Sequence, residues 1–169
     1  MRYLLPLLLL LFAGGLSAQT VTWLSWEEAM ERHATEPRPI LVDVYTDWCG
    51  WCKQMDKKVF AEKTVSAYIH DNFYAVKLNA EQTEDIVYDN HVFKYDPNNG
   101  RRGVHALAVS LLDGRMSYPS VVYLDENRNR ITISPGFKPA ERYIHELRYI
   151  NEKHWQRMTF QDYLEGSSK

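Results

Sequence analysis

Two cysteines, separated by Gly50 and Trp51 in the stretch Trp48-Cys49-Gly50-Trp51-Cys52-Lys53, carry the clearest chemistry in the chain. The segment before them, Ile40-Leu41-Val42-Asp43-Val44-Tyr45, is a nearly continuous apolar run, which predicts a buried central strand. The segment after them has helical periodicity through Met55, Val59 and Phe60. Cys49 is therefore expected at a helix N-terminus, where unpaired N–H groups and the helix dipole favour negative charge. A thiolate is stabilised there, and the thiolate is the attacking species in disulfide exchange. Cys52 sits one turn on, within reach of a mixed disulfide on Cys49. The spacing assigns Cys49 as nucleophile and Cys52 as resolving thiol.

Two other readings of the pair stand beside this one. Zinc sites use the same spacing, but the chain has 2 cysteines and 6 histidines, with no His-x₃₋₅-His pair among positions 33, 70, 91, 105, 145 and 154. A structural disulfide gains its effect by closing a long loop, and two intervening residues restrain almost nothing. Asp43, the lone carboxylate inside the apolar run, is out of place in a buried strand and calls for a reason.

The elements that position these residues follow from pattern. Val21 to Trp23 suits a short strand; Ser25 and Glu28 form a capping box for a helix that Pro37 and Pro39 close. Thr64 is the expected cap of another helix, and residues 73–78 the next strand. Asp96-Pro97-Asn98-Asn99-Gly100 is a strong turn signal inside a segment, 81–102, whose flanks suit a hairpin. A helix over 104–112, an antiparallel pair from 121–124 and 131–133, and a long helix over 140–155 complete the chain. Strands alternating with helices, then a hairpin and a last helix, predict an α/β sandwich with a central mixed β-sheet flanked by helices.

With 45% hydrophobic and 25% charged residues the composition is globular, and a net charge of −2 without a basic stripe excludes a nucleic-acid partner. Residues 1–18 have the layout of a secretory signal peptide: Arg2, an apolar run from Leu4 to Phe12, then small residues ending at Ala18. That run is shorter than the roughly 20 residues of a membrane span. The expected organisation is a signal peptide over 1–18, one domain over 19–165 and a loose tail over 166–169. No membrane span is expected in the mature chain.

The run from Val42 to Lys53 resembles the active-site stretch of thioredoxins. With Asp47-Trp48-Cys49 and Lys57-Lys58-Val59-Phe60, it is more similar still to the thioredoxin-like C-terminal domain of the membrane-bound periplasmic thiol–disulfide reductase and to small secreted thioredoxin-like interchange proteins. The resemblance covers 40–79 and 117–137, leaving 81–102 as an insertion. It implies that Asp43 is the buried carboxylate that takes the Cys52 proton, and that Lys77 approaches it. It implies a cis bond before Pro119, which faces the cysteines, and a glycine role for Gly136. It places Trp48, Gly50, Trp51, Tyr118 and Pro119 where substrate is met; Tyr118 departs from the smaller residue usual before that proline. The implied function is a periplasmic or secreted thiol–disulfide oxidoreductase, reducing protein disulfides with electrons from an upstream thiol donor, using no cofactor and no metal. The alternative is a thioredoxin-fold adaptor or chaperone without redox turnover. Tyr88, His91, Phe93 and Tyr95 in the insertion suit either a partner-recognition flap or a hairpin packed over a sheet edge.

Overall fold

A computed structural model describes residues 20–167; the expected signal peptide lies outside the described residues. The centre is a five-stranded sheet of β1 (Trp23–Leu24), β2 (Ile40–Tyr45), β3 (Tyr74–Asn79), β8 (Ser120–Leu124) and β9 (Arg130–Pro135), in the order β1-β3-β2-β8-β9. β1 and β2 flank β3 in parallel; β2–β8 and β8–β9 are antiparallel, so the sheet is mixed.

Successive side chains on a strand point to opposite faces, and that alternation divides the core in two. Ile40, Val42 and Val44, with Val76, Leu78, Val122 and Leu124, bury one face against α1 (Trp26–Thr35), α4 (Ala106–Leu111) and part of the insertion. Leu41, Ala75, Val121 and Tyr123 bury the other against α2 (Gly50–Met55), its π-helical continuation Asp56–Phe60, α3 (Lys63–Asn72) and α5 (Ala140–Asn151). Asp43 and Lys77 fall on this second face, and register makes them direct neighbours across β2 and β3.

Local chemistry explains where elements start and stop. Ser25 and Glu28 close the expected capping box on α1. Helix α3 is capped by Glu62, whose carboxylate accepts the Val65 N–H at 2.9 Å, rather than by Thr64, whose hydroxyl bonds to Glu62 instead. The segment expected as helix from Val104 begins as strand β7 (Val104–His105), paired with β6 (Tyr95–Asp96) across the expected turn. The His105 ring then caps α4 by accepting the Leu107 N–H. A second hairpin, β4 (Ile86–Tyr88) with β5 (His91–Phe93), was not anticipated; Asp89 and Asn90 both adopt left-handed φ (48° and 60°), as tight hairpin turns require.

The final helix is shorter than expected. α5 ends at Asn151, Lys153 is left-handed, and α6 (Phe160–Ser167) folds back so that the Phe160 and Tyr163 rings pack on Tyr149. Gly166, expected to begin a loose tail, is therefore helical; residues 168–169 lie outside the described residues. Among the described residues no helix is long and apolar enough to cross a membrane.

Candidate active site

The chain leaves β2 at Tyr45 and turns at Thr46, whose carbonyl accepts the Cys49 N–H at 3.1 Å. Cys49 is the N-cap of α2, and its Sγ accepts the Cys52 N–H at 3.1 Å. That contact puts a backbone donor of the helix start on the Cys49 sulfur, the place where the helix dipole favours negative charge. The two cysteines are joined in a disulfide, with Cα atoms 5.3 Å apart. Both are largely covered, Cys49 keeping 4% exposure and Cys52 2%. Both residues are therefore buried, with little surface open to solvent.

Trp48 and Trp51 are exposed beside them. Trp48 meets Tyr118 edge-on at 6.0 Å, and Trp51 lies against Phe137 at 5.5 Å. Aromatic contacts therefore tie the cysteine loop to the segments before β8 and after β9. The Tyr118–Pro119 bond is cis, as the resemblance implies. Register opposes Ser120 to Val44, so Pro119 stands at the sheet end from which the cysteine loop departs. The Gly136 N–H donates to the Pro119 carbonyl at 2.8 Å, with Gly136 at φ +82°. Gly50 faces open space: a Cβ there would meet nothing within 4 Å.

Beneath the loop, Asp43 is 1% exposed. Burial pushes its carboxyl up to about 6, against the opposing pull of Lys77. Lys77 Nζ donates to Asp43 Oδ2 at 2.7 Å, leaving Oδ1 without a hydrogen-bond partner. The ammonium also bonds Asp56 Oδ1 and lies over the Trp23 ring at 4.6 Å. Its own pKa is raised: burial opposes the charge, and the two carboxylates more than offset it. The sequence reading brought Asp43 and Lys77 together but missed Asp56. Asp56 is four residues after Cys52, so it shares that helix face, and the pattern was available to be read.

The insertion divides. Tyr88 packs edge-on against Trp26 at 5.0 Å and Phe93 joins the core, which is the packed-hairpin reading. Glu81, the insertion's first residue, accepts the Trp48 indole N–H at 2.8 Å and so reaches the cysteine loop. Among the described residues no cluster of three histidine, cysteine or acidic side chains is placed to hold a metal.

A mixed sheet of this order with a disulfide-forming Cys-x-x-Cys at the start of α2 defines a thioredoxin-like thiol–disulfide protein. The chain belongs to the Thioredox_DsbH family, described as a protein of unknown function, DUF255, whose pattern matches residues 14–161. Thiol:disulfide interchange protein DsbD of Ralstonia nicotianae is 28% identical over 123 residues, which are 72% of this chain and 17% of that protein. Uncharacterized protein B0495.5 of Caenorhabditis elegans is 30% identical over 67 residues, 39% of this chain and 9% of that one. The chain thus spans less than a fifth of these curated relatives. In fold it is similar to a thioredoxin-fold protein from Helicobacter pylori (TM-score 0.61, 18% identity, 78% of this chain and 85% of that one). A DsbH oxidoreductase gives TM-score 0.56 at 17% identity, over 80% of this chain and 87% of that one.

Proposed function

We propose that the protein is a thiol–disulfide oxidoreductase that reduces disulfides in client proteins. The Cys49 thiolate attacks one sulfur of a client disulfide, forming a mixed disulfide and releasing the first client sulfur, which takes up a proton. The Cys52 thiol passes its proton to the Asp43 carboxylate and attacks the Cys49 sulfur. The second client thiolate leaves, and the Cys49–Cys52 bond forms. The client gains two electrons; an upstream dithiol returns the protein to its reduced state. Lys77 positions the Asp43 carboxylate, while Tyr118 and Pro119 present backbone to an extended client strand.

The observation that carries this reading is the Cys49 sulfur accepting the Cys52 N–H at the first turn of α2. Reduction of insulin by dithiothreitol tests it. The parent chain accelerates the reaction and Cys49→Ser does not; equal rates would sink the reading. A Cys52→Ser variant accumulates mixed disulfides with clients and identifies them. Export to the periplasm or exterior, with cleavage near Ala18, is part of the proposal and rests on the 1–18 pattern. The N-terminus of the mature chain, sequenced from the exported fraction, checks it.

The near-complete burial of both cysteine residues beside two exposed tryptophans favours, as a second reading, an adaptor whose cysteines are inert. Alkylation of the reduced protein against pH separates the two: a working Cys49 titrates clearly below the ordinary ~8.5, and an inert one does not.

A further inference from the structure

A cavity of about 390 Å³ opens beside the cysteine loop, walled by Trp48, Tyr118, Glu81, Gly103, Arg101 and Arg102. Trp48 adjoins Cys49 and Tyr118 adjoins Pro119, so the cavity is one residue from each half of the exchange site. Its far wall is the turn that the insertion adds between β6 and β7.

That turn is braced. The Tyr95 hydroxyl donates to the Arg102 carbonyl, and the Tyr95 ring fills the place a Cβ would take at Gly103, which has φ +72°. The Asp96 carboxylate accepts the Asn98 N–H at 2.9 Å, holding the start of the turn. Any side chain at Gly103 would displace Tyr95 and break its hydrogen bond to the Arg102 carbonyl.

Charge sets what fits. No carboxylate among the described residues lies within 4.0 Å of either guanidinium. Arg102 instead sits 5.8 Å from the centre of the Trp48 ring. Glu81, the one acid in the wall, accepts the Trp48 indole N–H. Tyr118 brings no charge: burial, then the nearby Glu81, push its hydroxyl up to about 12. A chain with net charge −2 thus carries, beside its cysteines, a pocket with two cations and one anion.

We propose that this cavity is a specificity pocket of the exchange site. It takes an acidic side chain of the client strand, within two positions of the reactive client cysteine, on Arg101 and Arg102. The aromatic walls receive the methylenes and the guanidinium forks receive the carboxylate. Two positions of an extended strand span about 7 Å, and the cavity wall includes the immediate neighbours of Cys49 and Pro119. The proposal rests on the redox reading above and names its substrate class.

The test uses two short peptides, identical except for glutamate or glutamine two residues from a single cysteine. For exchange, each cysteine is joined to a common chromogenic thiol and offered to the reduced full chain. For binding, serine replaces the cysteine and the change in tryptophan emission is followed. The glutamate peptide is expected to react and to bind about fivefold better at low salt, an advantage that salt erodes. In the Arg101→Gln/Arg102→Gln double variant both ratios fall to one, and Arg102→Glu turns the preference toward a lysine peptide. Exchange that proceeds equally with both peptides, with no preference in binding, overturns the pocket. A binding preference without exchange keeps the pocket and overturns the redox reading.

Discussion

Asp43 and Glu146 are both carboxylates buried on the same side of the sheet, each beside a lysine, yet they are built for different ends. Glu146 is 5% exposed and fully engaged. Its Oε1 accepts from the Tyr123 hydroxyl at 3.0 Å and the Ser134 hydroxyl at 2.5 Å, and its Oε2 faces Lys138 at 3.3 Å. Asp43 has Lys77 on one oxygen and nothing on the other. A buried charge is tolerated where its hydrogen bonds are complete and costly where they are not. The satisfied carboxylate fastens α5 to β8 and β9; the under-satisfied one is held near pH 6, where it can take up and release a proton.

The widest separation between them is expected on truncating Glu146. In Glu146→Ala the Lys138 ammonium, Tyr123 and Ser134 lose their shared acceptor, and removing one partner of such a buried pair costs about 3–5 kcal/mol. Urea unfolding measures this, and the exchange rate per folded molecule stays that of the parent. A loss below about 1 kcal/mol would mean that Glu146 is no strut.

Asp43→Asn reverses the pattern. The step in which Cys52 attacks the mixed disulfide slows about 10²-fold, the low end for a positioned proton acceptor. Stopped-flow resolution of a trapped mixed disulfide measures it, and an unchanged rate removes Asp43 from the mechanism. The parent rate rises with pH through about 6 as Asp43 ionises, and the variant lacks that inflection.

Stability carries the opposite sign. Asp43 has a folded pKa raised from 3.8 to about 6, so its favourable contribution is complete below pH 4 and is lost as pH rises through 6. Asp43→Asn and the parent are therefore of similar stability at pH 4. At pH 7 the variant is the more stable, by on the order of 2 kcal/mol. Paired unfolding curves at the two pH values test this; a gap that widened toward acid would mean that Asp43 is stabilised by its pairing rather than strained by burial.

The two carboxylates were unequally legible. Asp43 announced itself as the lone charge in an apolar run, and β2 came out with the bounds that run implied. Glu146 reads in one dimension as the polar face of a helix, because its partners stand 23 and 12 residues away. Pro119 and Lys77 were placed by the resemblance, since nothing in their local spacing marks them. The hairpin at Asp89-Asn90 and the fold-back of α6 escaped notice because the first rests on two left-handed non-glycine residues and the second on ring packing over Tyr149. Short-range pattern carries strands and caps well; contacts that close only in three dimensions leave little trace in it.

The smallest effect comes from the residue that links Asp43 to solvent. Asp56 shares Lys77 with Asp43, and its charge also adds to the forces raising the Asp43 pKa. Asp56→Asn removes that charge and frees Lys77 to turn wholly toward Asp43. Both changes favour the Asp43 carboxylate, so the kinetic inflection moves from about 6 toward lower pH. Asp56 is half in water, and the change is worth less than about 1 kcal/mol in stability or barrier height. The direction is what discriminates: a shift toward higher pH would mean that Lys77 had left Asp43 along with Asp56. The lysine would then be Asp56's partner first, and Asp43 would feel its charge only while Asp56 holds it in place.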